Sequence, residues 1–152
     1  RHNCRTSLPF PDNSVSHILC SHFLEHIYPV EMDSLLRDFY RVLKTHGTLH
    51  TIVPNLSIRA RQYLAGVETG DPQSADDFIR STLLSRESRG SLRYRLLEFL
   101  GGFGLQHRWM FDYPSLAAKL SNVGFEILEE NETPSKLYRI DDDSVHVVAQ
   151  KW

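Results

Sequence analysis

Six consecutive residues, Ser21-His22-Phe23-Leu24-Glu25-His26, hold the densest cluster of reactive side chains in the chain. Two chemistries compete for them. His22-Phe23-Leu24-Glu25-His26 has the H-x-x-E-H spacing of zinc hydrolases, in which two histidines four apart share one face of a helix. That chemistry also needs a third protein ligand, a water position and a long helix to carry the motif. Pro29, three residues after His26, leaves little room for such a helix. The other chemistry needs only position. A Ser-His pair at the tip of a strand, with a carboxylate and a second histidine one turn away, could align a ligand and move a proton.

The elements around this cluster decide between the two. Leu8-Pro9-Phe10-Pro11-Asp12-Asn13-Ser14 is loop chemistry, because two prolines forbid regular pairing and Asp-Asn-Ser favours a turn. Val15 to Cys20 is an apolar run of the length of a buried strand. After Pro29, apolar residues recur at Met32, Leu35, Leu36, Phe39, Val42 and Leu43, at intervals that predict a helix ended by Gly47. Thr48 to Val53, rich in β-branched residues and stopped by Pro54, follows as a strand. This order predicts a βαβ unit with parallel strands and a right-handed crossover. Ser21 and His22 then lie at the carboxyl end of a strand, where open parallel sheets bind ligands.

Further along, Asp112 and Pro114 open a second helix that carries Leu116, Leu120 and Val123 and closes at Gly124. Phe125–Glu129 and Val145–Gln150 read as strands, and Asp141-Asp142-Asp143-Ser144 as the turn before the second of them. Residues 57–106 read as a polar helical cap or insertion holding Arg59, Arg61, Arg80, Arg86, Arg89, Arg93 and Arg95. These arginines are either a solvated helical surface or a grip for an anionic ligand. Gly101-Gly102-Phe103-Gly104 follows no strand and reads as a hinge rather than a nucleotide loop.

Composition bounds the function. The chain has 152 residues, enough for one domain with a core. Seventeen Lys plus Arg face 19 Asp plus Glu, a formal net charge of -2, so no overall field recruits nucleic acid or an anionic membrane. Neither partner is expected. No apolar run approaches the roughly 20 residues of a membrane helix. Two cysteines, Cys4 and Cys20, and the lack of a signal peptide fit a cytoplasmic location.

Several ordered motifs together carry a resemblance. Leu8-Pro9-Phe10-Pro11-Asp12-Asn13-Ser14, Ser21-His22-Phe23-Leu24-Glu25-His26, Arg41-Val42-Leu43-Lys44 with Gly47-Thr48-Leu49, Val53-Pro54-Asn55-Leu56, His107-Arg108-Trp109-Met110-Phe111-Asp112 and Gly124-Phe125 resemble a bacterial branch of the class I S-adenosylmethionine-dependent methyltransferases, over residues 3 to 126. The resemblance implies an α/β fold: a partial Rossmann-like sheet of the family's strands four to seven, mostly parallel with the last antiparallel, flanked by helices. The family's glycine-rich turn and ribose-holding carboxylate have no counterpart here. Residues 1–152 are therefore expected to be one incomplete domain, the C-terminal portion of a methyltransferase. The strand at Val15 to Cys20 would then be an uncovered edge through which the chain self-associates.

The same resemblance implies roles. Asn3, Cys4 and Leu8 would line the adenine end of S-adenosylmethionine, and Cys20, Ser21 and His22 its methionine and sulfonium end. His22 is expected to act as the base, with Glu25 beside it in the catalytic set. His26, His107 and Arg108 are expected to face a small-molecule or sugar-type acceptor. No metal ligand is expected. The family's Pro-Gly-Gly turn stands here as Thr45-His46-Gly47, which asks His46 for a left-handed backbone. Val15-Ser16 replaces the usual Phe-Asp, and Asn55 the usual Asp. The alternatives to catalysis of methyl transfer are a non-catalytic relic or interaction subunit and a zinc hydrolase using His22, Glu25 and His26.

Overall fold

Pro29 sits in the first turn of a 14-residue helix, α1 (Pro29–Val42), whose residues Met32, Leu35, Leu36, Phe39 and Val42 are all buried. Each such Leu or Phe contributes roughly 1.5–3 kcal/mol by leaving water, so packing rather than intrinsic propensity holds the helix. In this computed structural model, residues 6–85, 106–130 and 143–152 are described. α1 follows strand β1 (Val15–Ser21) and a single 3₁₀ turn (Leu24–His26), and it leads into β2 (Leu43–Pro54). Helices α2 (Leu56–Glu68) and α3 (Ser74–Thr82) come next, then α4 (Tyr113–Val123), β3 (Phe125–Glu130) and β4 (Ser144–Lys151).

The sheet order is β1-β2-β4-β3. β1 and β2 are parallel and joined through α1, as the βαβ reading requires, whereas β4 runs antiparallel to both β2 and β3. Three strands thus point one way and the last points against them. Val145, Val147 and Ala149 of β4, Leu49 and Val53 of β2 and Cys20 of β1 form one core cluster with the apolar faces of α1 and α4. β1 lies at the end of the sheet, and among the described residues it pairs only with β2.

Some boundaries depart from expectation. Gly47 does not end α1. The helix stops at Val42 and the backbone turns extended at Leu43, so the strand begins five residues earlier than its β-branched stretch suggests. The early part of β2 is irregular: its register with β1 jumps between Val15↔Leu43 and His17↔Thr48. His46 takes φ 62° there, the left-handed conformation asked of it. A Cβ on Gly47 would lie 2.8 Å from the carbonyl oxygen of Lys44, so close backbone approach requires glycine at that position.

α4 begins and ends as its sequence predicts. The Asp112 carboxylate accepts the Ser115 amide at 3.0 Å, and Ser115 Oγ accepts the Asp112 amide at 3.1 Å, a reciprocal cap. Gly124 closes the helix at φ 115°. The Gly101–Gly104 hinge, the arginines at 86, 89, 93 and 95, and Asp141-Asp142 of the expected turn lie outside the described residues.

Candidate functional site at the tip of the first strand

The β1 ladder continues one residue past the strand, with the His22 amide donating to the Ile52 carbonyl at 2.8 Å. His22 then takes φ 47°, a left-handed conformation that costs a non-glycine residue roughly 1–2 kcal/mol. This bend turns the chain sharply into the 3₁₀ turn at Leu24–His26. The zinc-hydrolase helix is not formed: His22 and His26 do not share a helical face, because Pro29 opens a separate helix and only three residues of 3₁₀ structure carry the motif.

Glu25 is the buried centre of this turn, only 1% exposed. Its carbonyl accepts two amides from a distant segment, Arg108 at 2.6 Å and Trp109 at 3.1 Å, which fastens residues 106–111 to the turn. His22 Nδ1 lies 3.5 Å and His26 Nε2 4.0 Å from Oε1 of its carboxylate. Oε2 has no hydrogen-bond partner among the described residues. Burial pushes the Glu25 carboxyl up to about 7, opposed only by a backbone hydrogen bond within the residue.

His107 is buried beside the turn, its ring edge-on to that of His26 with centroids 5.2 Å apart. Its Nδ1–H donates to the Thr82 carbonyl at 2.7 Å, at the end of α3. Burial holds His107 below the usual histidine range, against the pull of that carbonyl and with help from His26, His22 and Arg59 nearby. His26 Nδ1–H donates to the Gln106 carbonyl at 3.2 Å. The two amide bonds to Glu25 draw the segment of His107 in against the turn. Arg108 stacks its guanidinium over the Tyr28 ring at 5.0 Å, just before α1.

The residues expected on the cofactor wall divide into groups. Leu8, Cys20 and Ser21 line one groove of about 520 Å³ along β1, together with Phe10, Ile18 and Phe23. An apolar wall with a hydroxyl at the strand tip suits a flat adenosyl group carrying a few polar atoms. Arg41 and Asp38 of α1 hold the loop that brings Leu8 and Phe10 to this groove. Arg41 donates to the carbonyls of Leu8 and Phe10 at 3.1 and 2.9 Å and pairs with Asp12 at 2.6 Å, while Asp38 accepts the Leu8 amide. His22, past the strand tip, is exposed. Asn3 and Cys4 lie outside the described residues.

Sequence reasoning missed Thr82 and Gln106, whose carbonyls orient the two histidines. Backbone oxygens act here whatever side chain they carry, so no residue type announces them. Of the arginines in the middle stretch, Arg59 pairs with Asp143 at 2.8 Å and Arg80 with Asp77 at 3.4 Å.

The same fold recurs in known proteins. Residues 2–51 match the family of the methyltransferase domain, a narrower span than the motifs suggested. No curated protein matches the chain. A SAM-dependent methyltransferase from Methanosarcina mazei superposes with a TM-score of 0.57 at 20% identity, covering 99% of this chain and 65% of its own. A SAM-dependent methyltransferase from Thermotoga maritima gives 0.55 at 18% identity, covering 99% and 62%. Human N-acetylserotonin methyltransferase, in complex with SAM, gives 0.52 at 15% identity, covering 99% and 32%. The chain thus spans less than two thirds of the length of these three structures. It has the fold of the class I S-adenosylmethionine-dependent methyltransferases.

Proposed function

We propose, starting from a chain with the class I methyltransferase fold, that the protein transfers a methyl group from S-adenosylmethionine to a small-molecule or glycan-type acceptor. The turn after β1 is its reaction centre. The observation that carries this reading is His22: it stands exposed at the carboxyl end of a parallel strand, with Nδ1 3.5 Å from a buried carboxylate. A base whose far nitrogen is steadied by a carboxylate has the arrangement that proton removal requires. S-adenosylmethionine, when bound, supplies an electrophilic methyl carbon on a sulfonium.

This chain's residues do the rest. Leu8, Phe10, Cys20 and Ser21 wall the cofactor along β1. His22 Nε2 is placed to accept the proton that the acceptor's oxygen or nitrogen would lose on taking the methyl group, the donor departing as its neutral thioether. Glu25 holds the His22 ring in position, and its carbonyl ties down the Arg108–Trp109 backbone. Alignment of the two partners supplies much of the acceleration in such a displacement.

The test is kinetic, on the native protein. His22→Ala lowers kcat by about 10²-fold or more, the usual contribution of a general base, while the dissociation constant for S-adenosylmethionine stays within about twofold. Equal losses in both would make His22 a wall of the cofactor site. No binding of S-adenosylmethionine by the wild-type protein would overturn catalysis in favour of a non-catalytic interaction subunit.

A further inference from the structure

We propose that Glu25, His26 and His107 form a binding site for a divalent transition-metal ion. One ligand atom from each lies within 4.8 Å of the other two. Glu25 and His26 are 82 and 81 residues from His107 in sequence, yet the double amide contact to the Glu25 carbonyl fixes the three together.

Three features separate this cluster from an incidental one. Both histidines commit Nδ1–H to a backbone carbonyl, His26 to Gln106 and His107 to Thr82. A carbonyl only accepts, so the proton sits on Nδ1 and each Nε2 presents a lone pair. That is the outer hydrogen bond which sets tautomer and ring orientation in metal-ligating histidines. The carboxylate is buried, and its Oε2 has no hydrogen-bond partner among the described residues. A buried acceptor left unmatched costs roughly 1–3 kcal/mol, which a cation would relieve. Finally, Glu25 and His26 do not satisfy each other: Oε1 and Nε2 are 4.0 Å apart, too far for a hydrogen bond.

An ion held at about 2.0–2.2 Å draws its donors to roughly 3–3.5 Å from each other, so the side chains need close in by only about an ångström. Two imidazoles and one carboxylate suit Zn²⁺, Fe²⁺, Co²⁺ or Mn²⁺ better than Mg²⁺ or Ca²⁺, which prefer oxygen donors. A three-ligand set also leaves coordination positions open. The role of the ion rests on the methyl-transfer reading: close to His22, it would bind an acceptor oxygen and lower its pKa before His22 takes the proton.

Metal binding is measured without cofactor or acceptor, so its failure is distinguishable from failure of the methyl-transfer reading. The metal-free native protein is titrated by calorimetry with Zn²⁺, and with Co²⁺ while visible absorption and the histidine ring protons are followed by NMR. One ion per chain is expected, with Co²⁺ shifting the ring protons of His26 and His107 and leaving those of His50 and His146 in place. Glu25→Gln, His26→Ala and His107→Ala each weaken Zn²⁺ binding by about 100-fold or more, with folding checked by circular dichroism. Should one variant fail to fold, the other two and the Co²⁺ spectra still decide. No Zn²⁺ binding by the folded wild-type chain would overturn the proposal. So would affinity unchanged in the folded variants, or affinity lost only in His22→Ala.

Discussion

Two histidine pairs lie in the described regions, and they differ in what their nitrogens do. His26 and His107 meet edge-on at the strand tips, each with Nδ1–H given to a backbone carbonyl and a buried carboxylate nearby. His50 and His146 sit on adjacent strands β2 and β4 with ring centroids 5.5 Å apart, and there His50 Nε2 meets His146 Nδ1 at 3.3 Å. In the second pair one ring's N–H answers the other's lone pair, and Glu25, His26 and His107 are the only metal-competent trio among the described residues. The first pair is oriented by its surroundings and left with lone pairs to offer. The second is part of the sheet. Histidine proximity alone therefore says little, and the partner of the far nitrogen says most.

The largest test of this contrast uses pH on the metal-free chain. Glu25 is pushed up to about 7 by burial, from 4.5 in the unfolded chain, with His22, His26 and His107 as the titratable groups around it. Between those values the folded state holds more protons than the unfolded one, so this residue's contribution is present below pH 4.5 and is lost as pH rises through about 7. The stability difference between wild type and Glu25→Gln, from urea unfolding at successive pH values, should shift against wild type by up to roughly 3 kcal/mol across that window. A flat difference would mean that the carboxylate is solvated or already paired.

Next in size is thermal stabilisation by metal. Zn²⁺ at 100 times its dissociation constant should stabilise the wild-type chain by about 2.7 kcal/mol. Scanning calorimetry should show that gain absent in His26→Ala and intact in His146→Ala. Equal gains in both would erase the distinction between the pairs.

Smaller effects concern the scaffold. Asp112→Ala removes the reciprocal cap of α4, just after the segment that carries His107, and should cost about 1 kcal/mol in urea unfolding. The Asp112 carboxyl is held below the usual carboxylate range by its hydrogen bonds to Ser115, so this stability is present at neutral pH and fades as pH falls through the acid range. His46→Gly relieves the left-handed backbone in β2, far from the turn, and should gain about 0.5–1 kcal/mol with Zn²⁺ affinity unchanged. A loss of stability instead would mean that the side chain is required there.

How much of this was legible in the sequence follows the range of the forces involved. α1 could be read from Met32, Leu35, Leu36, Phe39 and Val42 because one buried face leaves its period in the chain. α4 could be read from Asp112, Pro114 and Gly124 because caps are local chemistry. The left-handed His46 was foreseeable from the glycine that usually occupies such a turn. The early start of β2 was not, because Lys44, Thr45 and His46 carry no strand signal and join the strand only through its neighbours. Likewise Glu25, His26 and His107 could each be singled out, but their meeting depends on amide-to-carbonyl bonds that side-chain identity does not encode.

The central claim, that the turn after β1 is where the methyl donor meets its acceptor, is tested most directly by photo-crosslinking. The native protein is irradiated with methyl-labelled S-adenosylmethionine and digested with trypsin, and the labelled peptide is sequenced. The account predicts label in the peptide Thr6–Arg37, which holds Leu8, Cys20, Ser21 and His22, and loss of that label on competition with excess S-adenosylhomocysteine. Label confined to other peptides, or label that the competitor does not displace, would contradict it.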